Sequence, residues 1–245
     1  MLVGLDEAGR GPVLGPLVVG ICCIPQEAEP LLLDAGVKDS KDLSPAKRRE
    51  LETWFYERCA SSDWFGTTVT LSAETVDLAL QQQGLNWLEV EGFQQAIQAL
   101  PYREHLKIFA DACDVNAERF TQRITNRLDA WPWPASTMVS EHKADNRYPV
   151  VAMASILAKE ERDRAIHAMG ERVGFGIGSG YPSDPATKSS LPALVKQSGI
   201  DPDVRWGWAT VVRFWQQERT GDVPVRGQAR TVQHQLFQHD ETRIS

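Results

Sequence analysis

Met1-Leu2-Val3-Gly4-Leu5-Asp6-Glu7-Ala8-Gly9-Arg10-Gly11-Pro12, followed by the apolar run Val13–Ile24, decides the architecture of this chain. Two β-branched runs separated by an acidic pair, two glycines and a proline read as a strand, a tight turn and a second strand. Further along, Ser44-Pro45 supplies a helix N-cap with a proline at the first helical position. Behind it Leu51, Trp54, Phe55 and Cys59 keep the i, i+3, i+4, i+8 spacing of a buried helical stripe. Trp64–Leu71 is strand-like. Helices are expected over 73–83 and 86–100, broken at Gly84, then a short strand at Leu106–Ala110 and a helix over 118–128. Thr137–Ser140 reads as another short strand and 150–173 as a long helix. Gly174–Gly180, with four glycines in seven residues, is a loop, and further helices follow over 185–197 and 208–218. An antiparallel pair, then strands alternating with helices, predicts an α/β domain with a mixed sheet. The expected boundaries are a catalytic domain over 1–184, a helical appendage over 185–219 and a polar, aperiodic, flexible tail over 220–245.

The 245 residues, 42% hydrophobic and 24% charged, suit one globular domain. No stretch approaches the roughly 18 apolar residues of a membrane span. The N-terminus has no basic segment before its apolar run and reaches two acids within seven residues, so a cytoplasmic protein is expected. Cys22, Cys23, Cys59 and Cys113 fit no zinc spacing and read as free thiols, with the adjacent Cys22 and Cys23 on opposite faces of a strand. A net charge of −7 speaks against a nucleic-acid partner only weakly, because phosphate contact depends on where cations lie. Basic residues do cluster, at Lys38, Lys41, Lys47, Arg48 and Arg49 and again at Lys159, Arg162 and Arg164, although a solvated helix face also produces such clusters.

Four acids occupy one kind of position. Asp6 and Glu7 follow the first strand, Asp111 ends the next short apolar strand, and Asp145 follows another. The carboxyl ends of strands are where sites assemble in open α/β sheets. Carboxylates gathered there repel one another unless a cation neutralises them, and hard oxygen donors suit Mg²⁺ or Mn²⁺ better than zinc. Any one such Asp also serves as a turn residue or helix cap, and Asp114, Glu141 and Asp184 lie close by, so the assignment is not unique. Gly9-Arg10-Gly11 lets a backbone come near a ligand and offers an arginine fork, yet it is also an ordinary tight turn. Ser155 and Lys159 share one face of an otherwise apolar helix. The serine could bond the helix backbone; the lysine could pair with Glu160 or Asp163, or face the acids. Gly178-Ser179-Gly180-Tyr181-Pro182-Ser183-Asp184 holds a tyrosine between glycines and a proline, able to stack on a sugar or to plug a core edge.

Taken in order, these segments resemble type 2 ribonuclease H, its archaeal and eukaryotic-like branch in particular. The resemblance rests on Gly4–Pro12 with Gly15-Pro16, on Asp39-Ser40-Lys41-Asp42-Leu43, on Ala110–Val115 and on His142-Lys143-Ala144-Asp145. Ala154–Lys159, Arg162-Asp163-Arg164 and Gly178–Asp184 extend it, so that it spans Leu2 to about Trp208. It implies a ribonuclease H-like mixed five-stranded sheet flanked by helices, with Asp6, Glu7, Asp111 and Asp145 holding two Mg²⁺ or Mn²⁺ ions. It also implies hydrolysis of RNA paired with DNA and incision 5′ of ribonucleotides embedded in duplex DNA, giving 3′-hydroxyl and 5′-phosphate ends. Gly9, Arg10, Gly11 and Tyr181 would then read the ribose and its neighbouring deoxyribose. Ser40, Lys41, Lys143, Ser155 and Lys159 become candidates for contacts to phosphate or to the metal ligands, and a monomer is expected.

The chain departs from that family at Asn146, where an acid is common among relatives, and at Glu160-Glu161, expected to weaken substrate binding near Lys159. It opens directly at the first strand, without the extra N-terminal domain of type 3 relatives, which favours type 2. Gln233-His234-Gln235-Leu236-Phe237 loosely resembles a sliding-clamp peptide without its terminal aromatic pair, which makes a sliding clamp the candidate partner of this segment. Two other classes compete. A junction nuclease or transposase-like enzyme has no reason to pair the glycine turn with Tyr181. A non-catalytic binding module has no reason to keep four acids.

Overall fold

A computed structural model describes residues 1–227. Its centre is a five-stranded sheet of β1 (Leu2–Ala8), β2 (Leu17–Ile24), β3 (Phe65–Leu71), β4 (Lys107–Asp111) and β5 (Thr137–Glu141). The strand order is β3-β2-β1-β4-β5; β1 runs antiparallel to β2 and parallel to β4, and β4 runs parallel to β5. This is the expected mixed α/β sheet. The helices are α1 (Glu29–Ala35), α2 (Pro45–Ser61), α3 (Ala73–Gln82), α4 (Leu85–Gln98), α5 (Ala117–Thr125), α6 (Pro149–Val173), α7 (Pro185–Leu194) and α8 (Ala209–Glu218).

Alternation along β1 sorts its side chains between two cores. Leu2 packs with α6, α2 and α1, whereas Val3 and Leu5 pack with α4 and α5 beneath the other face. Cys22 and Cys23 divide in the same way, and all four cysteines are free. Two sheet glycines let α6 lie directly on the first face. A Cβ at Gly4 would stand 2.1 Å from the Val150 carbonyl carbon, and one at Gly20 2.2 Å from the Ala154 carbonyl oxygen. This backbone-to-backbone approach brings Ser155 and Lys159 over the carboxyl end of β1.

The second strand starts at Leu17, not Val13. Pro12 and Pro16 cannot donate to a ladder, and residues 9–16 instead dock on the C-terminal region. Val13 N–H donates to the Gly180 carbonyl (2.8 Å) and Gly15 N–H to that of Asp203 (2.8 Å). The helix expected over 185–197 ends at Leu194 and gives way to a small hairpin of β6 (Val195–Lys196) and β7 (Gly199–Ile200). Helix α1, with Pro30 in its first turn and Gly36 as its left-handed cap, was not anticipated. The C-terminal helices share one apolar cluster with Val13, Leu14, Ile166 and Met169, so they pack as part of the domain.

Within residues 220–227, the start of the expected tail, most side chains are exposed, but Val223 packs against the C-terminal cluster and Arg226 is anchored. Arg226 is buried, and its guanidinium donates to Asp77 (2.8 Å) and to the Val204 carbonyl (2.8 Å). That neutralises a buried carboxylate of α3, a role that polarity and periodicity cannot reveal. Residues 228–245, with the clamp-like Gln233–Phe237, lie outside the described residues. No helix among the described residues is long and apolar enough to cross a membrane.

Candidate active site

Because β1, β4 and β5 run parallel, their carboxyl ends share one edge of the sheet. Asp6 and Glu7 stand at the end of β1 and Asp111 ends β4. Asp145 sits in a single 3-10 turn just past β5. All four line one cavity of about 240 Å³, together with Gly9, Arg10, Gly11, Ser40, Lys41, Ser155, Lys159 and Tyr181. Lys143 does not line it. That residue is exposed and begins the turn carrying Asp145 with a left-handed backbone (φ 58°).

Local hydrogen bonds aim the acids. Asp6 Oδ1 accepts from Glu7 N–H (2.7 Å) and Asp111 Oδ1 from Ala144 N–H (2.7 Å). Glu7 Oε2 accepts from the Cys113 thiol (3.0 Å). Asn146 donates to Asp145 Oδ1 (3.1 Å), so it orients that carboxylate. Burial pushes Asp6 well above the usual carboxylate range, and the charges of Glu7 and Asp111 push it further. Burial, then Asp111, raises Glu7; burial, then Asp145, raises Asp111. Lys41 Nζ lies 3.9 Å from Asp145 Oδ2. Partial burial opposes its charge, but Asp39, Asp145, Asp6 and Asp111 together hold the ammonium above its ordinary value. Clustered oxygen donors that resist ionisation together, with Lys41 the lysine paired to one of them, fit a hard divalent cation such as Mg²⁺ or Mn²⁺.

The glycine turn is held from behind. Gly9 adopts φ +92°, and a Cβ there would stand 2.4 Å from the Pro16 carbonyl oxygen. Arg205, with no exposed surface, donates to the carbonyls of Gly9 (2.6 Å), Arg10 (3.1 Å) and Gly15 (3.0 Å). Burial, then Arg162, lowers its pKa to about 10. Across the cavity Tyr181 is 37% exposed, and the Arg162 guanidinium lies 5.0 Å from its ring centre. Asp184 fastens this loop, accepting from Ser179 N–H (2.6 Å) and from Ala186 N–H (2.9 Å) at the start of α7.

Ser155 bonds the Ser40 hydroxyl (3.0 Å), which joins α6 to the Asp39–Leu43 segment. Lys159 lines the cavity while pairing with Asp163 (3.4 Å). The expected weakening by Glu160 and Glu161 finds no support in their placement. Glu160 is buried against Arg48 Nε (2.6 Å), and Glu161 pairs with Arg164 (2.8 Å).

Several participants were not legible as site residues. Arg205 holds the glycine turn, and an isolated arginine carries no pattern for such work; Arg162, read only as part of a basic cluster and a family segment, holds the tyrosine loop. Glu89 left a fainter signal: it falls in step with Phe93 and Ile97 on the apolar stripe of α4, where an acid is out of place. It forms an ion pair with Arg10; burial, then the charge of Glu7, push the carboxyl up, while the charge and hydrogen bond of Arg10 hold it down.

The family model described as Ribonuclease HII matches residues 3–211. The ribonuclease HII of Thermococcus sibiricus is 43% identical over 215 residues, covering 87% of this chain and 90% of its own. The crystal structure of the ribonuclease H2 from Pyrococcus horikoshii OT3 superposes with a TM-score of 0.76 at 35% identity, covering 88% of this chain and 97% of that one. The structure of the PCNA:RNase HII complex from Archaeoglobus fulgidus matches with a TM-score of 0.72 at 35% identity, over 85% and 95% of the two chains. A similarity that runs through every strand and turn carrying the acids leaves one assignment: this chain belongs to the ribonuclease HII family, metal-dependent endoribonucleases.

Proposed function

We propose that this chain hydrolyses RNA in RNA/DNA hybrids and incises duplex DNA 5′ of single embedded ribonucleotides, leaving 3′-hydroxyl and 5′-phosphate ends. One observation carries the reading: four acids from three strand ends share a cavity with the glycine turn and Tyr181. Asp6, Glu7, Asp111 and Asp145 would hold two Mg²⁺ or Mn²⁺ ions. When bound, such ions supply Lewis-acid stabilisation of charge developing on phosphate oxygens. The remaining work belongs to the chain. Arg205 engages the carbonyls of Gly9 and Arg10, which leaves the other groups of the turn free to meet a 2′-hydroxyl. Tyr181 offers a ring to the adjoining deoxyribose, held in place by Arg162 and Asp184. Lys41 and Lys159 supply positive charge for the backbone phosphates, while Ser40 and Ser155 brace the floor of the cavity. Lys143, outside the cavity, is left for a flanking phosphate.

Cleavage of a duplex with one embedded ribonucleotide tests the reading. Asp111→Asn is expected to lose nearly all activity. Tyr181→Ala is expected to lose more at the single-ribonucleotide junction than on a long hybrid, and equal losses on both substrates would refute the assigned role of the ring. A sliding clamp is the proposed partner of the Gln233–Phe237 segment, supported by the PCNA complex of the Archaeoglobus relative. Unchanged clamp affinity after deletion beyond Val232 would remove it.

A further inference from the structure

Glu89 has no exposed surface, yet only one of its oxygens is used. Oε2 accepts from Arg10, while Oε1 is buried without a partner among the described residues. A buried carboxylate left half satisfied is a poor way to stabilise a helix face, since apolar side chains of similar size usually serve better. Its neighbours on the inner side of α4, Leu88, Val90, Phe93 and Ala96, are all apolar. The acid therefore calls for a functional reason.

The reason lies in what stands beside it. Arg10 reaches α4 with both arms of its guanidinium, one to Glu89 and the other to Asn86 Oδ1 (2.8 Å). Glu7, Glu89 and Cys113 each place a donor atom within 4.8 Å of the others, so the carboxylate at the end of β1 is within reach of the same guanidinium. Arginine stays charged at every relevant pH, and its planar fork matches a carboxylate well. Without a stronger partner on α4, Arg10 would turn to Glu7 and occupy an oxygen that a divalent ion needs.

We infer that Glu89 is a positioning residue that holds the Arg10 guanidinium on α4 and so keeps Glu7 free to bind a divalent cation. Asn86 fixes the second arm and the plane of the fork. This rests on the proposed reading of Glu7 as a metal ligand. It goes beyond that reading by assigning a role to an acid that touches neither substrate nor ion.

Calorimetric titration of the full chain with Mn²⁺ alone, without nucleic acid, tests it. Glu89→Gln keeps the shape and removes the charge, and Mn²⁺ affinity should fall about tenfold as Arg10 moves onto Glu7. Adding Arg10→Ala to that variant should restore binding, because the competing cation is gone. Unchanged affinity in Glu89→Gln, or a double variant as weak as the single one, overturns the inference. Arg10→Ala alone leaves Glu89 in place and keeps the test decisive if Glu89→Gln does not fold; it should bind Mn²⁺ at least as tightly as the unaltered chain, and weaker binding overturns the inference. Glu7→Gln in the same titration separates the two readings. If it leaves the affinity unchanged, the assignment of Glu7 as a ligand fails, and the role of Glu89 fails with it.

Discussion

Two charged clusters lie against helix α6, and they are built in opposite ways. Between α2 and α6 each acid has its cation. Arg48, almost fully buried, meets Glu160 (2.6 Å) and Asp163 (3.1 Å), and Arg164 grips both oxygens of Glu52 (2.7 and 2.9 Å). At the carboxyl ends of β1 and β4, acids face acids, and burial with mutual repulsion raises Asp6, Glu7 and Asp111 above their ordinary values. The first arrangement is complete within the chain. The second is not, and an incomplete electrostatic arrangement is what a binding site for cations requires.

The contrast is broken most directly at Asp111. Asp111→Asn should reduce cleavage roughly a thousandfold, equivalent to about 4 kcal/mol of lost charge stabilisation. The same change should leave the metal-free melting temperature unchanged or higher, because a repelled charge is gone. A marked fall in that temperature would show the site to be structural. Arg48→Met is the converse. It strands Glu160 in the interior, where losing one partner of a buried pair costs about 3–5 kcal/mol. Denaturant unfolding should register that loss, while turnover per folded molecule on a long hybrid stays near that of the unaltered chain.

Divalent cations sharpen the comparison. Carboxyls held above their unfolded values bind protons in the folded chain that the unfolded chain has already released, so stability without metal falls as pH rises past about 4 and through their raised values. Mg²⁺ or Mn²⁺ should therefore raise the melting temperature more at pH 8 than at pH 5.5, and a chelator should abolish both the gain and the cleavage. Equal gains at the two pH values would count against the acids as the binding groups. The smallest effect is expected at Asp184. Its carboxyl is held at about 2 by its bonds to Ser179, then to Ala186, so its contribution is present above about 4 and is lost as pH falls toward about 2. Asp184→Asn should slow incision at single ribonucleotides by about threefold and leave long hybrids unaffected, in line with a weakened hydrogen bond to a loop that carries Tyr181.

Legibility followed the range of the interactions. Asp6, Glu7 and Asp111 could be placed because each lies at the end of a short apolar run, and the run and its acid are local to one segment. The start of β2 was misplaced by four residues because Val13–Pro16 continue the apolar run of the strand, yet their hydrogen bonds go to Gly180 and Asp203. Arg226 belonged to a stretch that reads as tail until Asp77 is known to lie beside it.

The chain's own order of residues determined the strands, the long helix, the mixed sheet and the positions of the acids, since alternation, helical spacing and turn chemistry act over a few neighbours. Only the tertiary structure decided what surrounds them: Arg205 behind the glycine turn, Glu89 beneath Arg10, and paired rather than free acids at 160 and 161. These depend on charges from distant segments meeting in a poorly screened interior, where strength is set by separation in space, and a linear pattern does not contain that separation.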